Sequence, residues 1–120
     1  MIDQIAPVDF AHWLATVAQS HPLEHAVLLD VREPRELEWA QVGNDSAKHG
    51  YRLVTIPMAS VPLRLAELDP DQPIACLCHH GARSMQVARF LVGNGFTEVV
   101  NIAGGIDAWA TQVDPSIPRY

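Results

Sequence analysis

The run Ala26-Val27-Leu28-Leu29-Asp30-Val31 is apolar almost throughout, without alternation. A strand with one face in water alternates apolar and polar residues. A continuous run instead marks a strand covered on both faces, as in a parallel sheet with helices above and below. Ile2–Ala6, Leu53–Ile56, Ile74–Leu77 and Val99–Ile102 read as four further short strands. Between them lie helical patterns. Phe10, Leu14 and Val17 recur at helical spacing behind Pro7, and Glu33–Ala40 carries Pro34 in its first turn with Leu37 as an anchor. Ser60 is a candidate N-cap for a helix with Val61, Leu65 and Leu68 as its buried stripe. Met85, Ala88, Leu91 and Val92 mark the face of another, closed by Asn94-Gly95. Gly104-Gly105 leads into a last helix with Ile106 and Trp109.

Strands alternating with helices over short connections predict an α/β fold: an open, mainly parallel five-stranded sheet with helices on both faces. At 120 residues the chain fits a single domain spanning 1–120, with the proline-bearing stretch 113–120 as a surface tail. Residues 41–51 form the most loop-like segment.

In open parallel sheets, ligands bind beyond the carboxyl ends of the strands. Asp30 and Arg32 stand at one such end and Cys78 at another. Cys78 opens the loop Cys78-His79-His80-Gly81-Ala82-Arg83-Ser84, which drops into a helix. Amides at a helix N-terminus point at whatever occupies the loop's mouth, and the helix dipole adds partial positive charge there. A cysteine in that position is a candidate nucleophile whose thiolate is the anion being stabilised. Cys76, inside the strand, reads as a small buried hydrophobe.

Composition narrows the partners. A net charge of −6, with no Lys/Arg cluster, argues against a nucleic-acid surface. No apolar run approaches a membrane span, and no signal-peptide pattern is present near residue 1, so a cytoplasmic location without membrane association is the expectation. Cys76, Cys78, His79 and His80 are metal-ligand types, but their crowding at one strand end differs from the separated pairs of zinc sites. Neither a metal nor a cofactor is expected.

Four features together resemble the rhodanese family of sulfurtransferases, chiefly its small single-domain members. They are Leu29-Asp30-Val31-Arg32, the Cys78–Ser84 loop, Gly95-Phe96, and Gly104-Gly105-Ile106 followed by Trp109. The resemblance implies that Cys78 carries sulfur as a persulfide. A small anionic sulfur donor such as thiosulfate loads it, and a thiophilic acceptor, cyanide or a thiol, takes the sulfur off. A protein sulfur acceptor is a variant of the same expectation. The amides from His79 through Gly81, Ala82 and Arg83 to Ser84 would stabilise the persulfide, Gly81 would allow the tight bend, and Arg83 would offer its fork to a sulfonate. His79 and His80 stand where the family frequently has an arginine and could donate to the donor's oxygens. Asp30 is expected to brace the loop. Arg32 is open between bracing and substrate access, and Gly104-Gly105 is expected to permit close packing near the loop.

One further departure and three alternatives accompany this reading. A Gly-His-Ile-Pro-Gly-Ala run common in the family is absent from 42–51, which leaves one pocket wall undefined. Cysteine phosphatases of related fold enclose five residues between cysteine and arginine. Here four are enclosed, a ring better suited to one sulfur atom than to a tetrahedral phosphate. The alternatives are such a phosphatase, a non-catalytic interaction module, and a protein-to-protein sulfur carrier.

Overall fold

A computed structural model of the chain describes residues 2–21, 25–43 and 50–120. Five strands form one sheet: β1 (Asp3–Ile5), β2 (Ala26–Asp30), β3 (Tyr51–Thr55), β4 (Ile74–Leu77) and β5 (Val99–Ile102). Their order is β1-β5-β4-β2-β3, and every pairing is parallel. Among the described residues four α-helices accompany them: α1 (Phe10–Ser20), α2 (Pro34–Trp39), α3 (Ala82–Gly93) and α4 (Gly105–Gln112).

The apolar runs are buried on both faces because their neighbours in sequence go to opposite layers. Val27, Leu29, Ile74 and Cys76 pack with Val87, Ala88 and Leu91 of α3. Leu28, Ala75 and Leu77 pack with Phe10 of α1 and with Ile106, Trp109 and Ala110 of α4. Period-two alternation is therefore present, but both faces are core. From β2 the chain goes first to β3 on one side and then to β4 on the other, so the direction of winding reverses between β2 and β4. That switch point, at the strands' carboxyl ends, is where the crevice of such a sheet opens. Val31 N–H bonds the carbonyl of Leu77 at 2.9 Å, joining the two strand ends that carry Arg32 and Cys78.

Two expected helical details differ. Residues 58–68 form two short 3-10 turns, Met58–Ser60 and Leu65–Glu67, and no α-helix. Arg64 leaves the helical region (φ −110°, ψ 15°), so the spacing of Val61, Leu65 and Leu68 is met by turns instead. On α3 the inward residues are Ser84, Val87, Ala88 and Leu91, while Val92 is exposed. Turning Ser84 inward rotates the helix and exchanges Val92 for Val87. Of the loop at 41–51, residues 44–49 lie outside the described residues, and so does most of the undefined pocket wall. The stretch 113–120, expected at the surface, lays Ile117 into the core and brings Tyr120 onto Trp39 of α2.

Among the described residues the largest fully buried side chain is charged. Arg32 donates through Nε and Nη2 to the Asp30 carboxylate at 2.8–3.1 Å, through Nη2 to the Ala40 carbonyl at 2.8 Å, and through Nη1 to the Tyr120 hydroxyl at 3.0 Å. A charge taken from water is tolerated only when its donors are matched in this way. Arg32→Met strands the buried Asp30 carboxylate and is expected to cost about 3–5 kcal/mol in urea unfolding. The double variant Asp30→Leu/Arg32→Met is expected to regain part of that loss.

Candidate active site around Cys78

β4 delivers Cys78 to the switch point, where the residue is buried to 1% exposure. Its sulfur faces two donors: Gly81 N–H at 3.0 Å and Ser84 Oγ at 3.2 Å. Gly81 caps α3 with φ +107°, a conformation that glycine adopts without a Cβ clash. A Cβ there would also lie 3.3 Å from the amide nitrogen of Gly104.

The loop is clamped from behind by the first turn of α4. Ile106 N–H bonds the carbonyl of Cys78 at 2.8 Å, and Asp107 N–H bonds that of His79 at 3.1 Å. Gly105 makes this approach possible, since a Cβ on it would collide with both carbonyls. The glycine pair thus serves close packing against the loop, and Gly105 does so most directly.

Beneath the sulfur sits a residue that the sequence reading did not single out. Asn101 of β5 is fully buried, accepts from Ser84 Oγ at 2.5 Å, and donates to the Gly81 carbonyl at 3.1 Å. It holds the hydroxyl that faces Cys78 and the carbonyl of the glycine whose N–H does. A buried polar residue inside an otherwise apolar strand, Val99-Val100-Asn101-Ile102, is the sequence signal that could have found it.

The other loop residues part company. Arg83 turns to α2 and grips Glu36 with both arms, Nη1 to Oε1 at 2.6 Å and Nη2 to Oε2 at 2.8 Å. Tyr120 O–H donates to the same carboxylate at 2.7 Å. Glu36 and Tyr120 were not singled out from the sequence either. Glu36 also accepts the Glu33 N–H, closing a capping box at the start of α2, and Glu33-Pro34-Arg35-Glu36 is a legible signature of that. His79 is stacked between the rings of His80 (3.9 Å between centroids) and Tyr120 (3.8 Å), and its Nε2 has no partner among the described residues. Burial, with His80 alongside, lowers the His79 pKa below its ordinary value. His80 is exposed, its Nε2 lies 3.9 Å from the Asp107 carboxylate, and Ala82 is exposed in the first turn of α3. Asp30 and Arg32 meet each other and brace α2 and Tyr120 rather than touching the loop side chains. Cys76 is wholly buried, and that burial pushes its thiol up to about 12. His79, His80 and Asp107 offer three ligand-type atoms within 4.8 Å of one another, but Asp107 is already paired with Arg119 at 2.8 Å.

The motifs and this geometry agree with comparisons to known proteins. The model of the family described as "Rhodanese-like domain" matches residues 11–112. A chloroplastic rhodanese-like/PpiC domain-containing protein of Arabidopsis thaliana is 40% identical over 100 residues, covering 82% of this chain and 31% of that protein. The thiosulfate sulfurtransferase GlpE of Pseudomonas syringae is 34% identical over 94 residues, covering 78% of this chain and 81% of the enzyme. In structure, the polysulfide-sulfur transferase homodimer of Wolinella succinogenes is similar at TM-score 0.67 and 28% identity, over 92% of this chain and 74% of that one. No helix among the described residues is long and apolar enough to cross a membrane.

Two outcomes follow from the clamp and the ion pair. Gly105→Ala is expected to lose stability by about 1–3 kcal/mol or more, since it adds a clash to backbone strain at φ +61°. Glu36 is held down at about 2 from an ordinary 4.5, first by its hydrogen bond from Arg83. A depressed carboxylate supports folding above its unfolded value and loses that support as pH falls. Acid unfolding of the wild type between pH 4.5 and about 2 should therefore be steeper than that of Glu36→Gln, measured by circular dichroism. By its motifs, its fold and its relatives, the chain belongs to the rhodanese-like domain family.

Proposed function

We propose that this protein is a sulfurtransferase that moves sulfane sulfur through a persulfide on Cys78. One observation carries the reading: the Cys78 sulfur lies at the switch point with Gly81 N–H at 3.0 Å and Ser84 Oγ at 3.2 Å, two donors suited to a sulfur anion. The GlpE relative, named as a thiosulfate sulfurtransferase, supports the same chemistry.

The reaction is two-step covalent catalysis. The Cys78 thiolate uses an electron pair to form a bond to the outer sulfur of thiosulfate. The donor's own sulfur–sulfur bond breaks, its pair leaves with sulfite, and Cys78 is left as a persulfide anion. In the second step a thiolate or cyanide attacks the terminal sulfur, and the bonding pair returns to Cys78. A persulfide donor loads the site in the same way, releasing a thiolate in place of sulfite. Gly81 N–H and the Ser84 hydroxyl hold the negative charge while it resides on the cysteine. At 1% exposure the site suits delivery of one sulfur atom better than approach of a tetrahedral phosphate.

Intact mass after incubation with thiosulfate should show a gain of one sulfur, lost again on adding cyanide. Cys78→Ser should show neither. Loading that persists in Cys78→Ser, or hydrolysis of an aryl phosphate with no loading, would overturn the proposal.

A further inference from the structure

Among the described residues, the three arginines Arg83, Arg32 and Arg119 are each already paired. Arg83, the side chain best placed to meet an anionic donor, has both arms on Glu36 at 2.6 and 2.8 Å, and its hydrogen bonds and charge pairing with Glu36 raise its pKa. Arg32 is spent on Asp30, two carbonyls and the Tyr120 hydroxyl. Arg119 is held by Asp107, whose carboxylate also lies 3.9 Å from His80. His79, stacked between two rings, is biased towards its neutral form by burial. The chain's net charge of −6 adds a field that does not favour anions.

Tyr120 makes the Arg83–Glu36 pair hard to open. Its hydroxyl donates to Glu36 Oε2 at 2.7 Å and accepts from the buried Arg32 at 3.0 Å. To offer its fork to a sulfonate, Arg83 would have to leave a carboxylate that is anchored through Tyr120 to the core. Thiosulfate is a dianion, and attack by a thiolate gathers three negative charges in one crevice. A persulfide of an uncharged thiol brings at most one charge of its own. The cost of crowding like charges rises steeply away from water, so an unpaired cation matters far more to the first donor than to the second.

We propose that Glu36 is a specificity-determining residue, which withholds Arg83 from anionic donors and directs the site towards sulfane sulfur carried on a thiol. The inference rests on the reading of Cys78 as the sulfur carrier and names the donor class for it. Donor choice is thus set by a carboxylate on α2, a helix that contributes no atom to the reaction.

The test is single-turnover loading of Cys78, followed by quenched intact mass, with thiosulfate and with the persulfide of 2-mercaptoethanol. Glu36→Gln keeps an oxygen for the Glu33 amide but removes the charge that occupies Arg83. It is expected to raise the thiosulfate-to-persulfide loading ratio about tenfold, the scale of one charge-assisted hydrogen bond. Glu36→Asp, which keeps the charge, is expected to stay near the wild-type ratio. The double variant Arg83→Gln/Glu36→Gln removes a neutral pair and should hold the ratio within about twofold. An unchanged ratio in Glu36→Gln, an equal rise in Glu36→Asp, or a thiosulfate-specific fall beyond about fivefold in the double variant would each overturn the proposal. Wild-type protein that loads sulfur from neither donor would instead overturn the sulfurtransferase reading itself.

Discussion

The matched burial of Arg32 is the interaction on which the rest of the site depends. Its guanidinium is out of water and is satisfied by one carboxylate, two carbonyls and one phenol. Those partners come from β2, from α2 and the residue after it, and from the far end of the described chain. Because an unpaired buried cation is so costly, all of them must be present at once, and the charge enforces their relative positions. Glu36 is thereby placed on the side of α2 that faces Arg83, and Arg83 in turn fixes the first turn of α3. Cys78 takes its hydrogen bonds from Gly81 and Ser84 and not from these charges, yet the loop it begins is anchored through them.

A second set of constraints acts from below and behind. Asn101 takes the Gly81 carbonyl and the Ser84 hydroxyl, and α4 takes the carbonyls of Cys78 and His79. The short loop therefore has its peptides held from two sides. Ser84 has one hydroxyl proton and three acceptors in reach: Asn101 Oδ1 at 2.5 Å, the cysteine sulfur at 3.2 Å, and the Gly81 carbonyl at 3.3 Å. Its donation can follow the charge state of the sulfur without movement of the backbone.

Much of this was legible beforehand. The unbroken run at 26–31 implies burial on both faces, and burial on both faces implies a parallel sheet with two helical layers. The strand–loop–helix at 74–84 located the cysteine, and the paired glycines at 104 and 105 marked a close approach. The failures share one cause. Helical spacing of Val61, Leu65 and Leu68 says which residues turn inward, but turns can do that as well as a helix can. The face of α3 was misjudged because a serine drawn inward by a hydrogen bond carries no hydrophobic signal. The chemistry of Arg83 alone does not name its partner, a glutamate 47 residues earlier in the chain. Asn101, Glu36 and Tyr120 went unremarked because polar partners far apart in sequence leave no periodic trace. Apolar patterning reports layers. Polar pairing is a matter of three-dimensional coincidence.

The clamp from α4 has a consequence beyond holding the loop still. In a planar trans peptide the carbonyl and the N–H point in opposite directions. Ile106 and Asp107 draw the carbonyls of Cys78 and His79 towards α4, so the N–H groups of His79 and His80 are turned the other way. Two dipoles are thus aimed away from the helix before any ligand arrives, and no rotation is needed to recruit them. A field that is already oriented incurs no reorganisation cost as charge develops in front of it. The helix behind the loop thus sets the polarity of the loop surface that faces away from it.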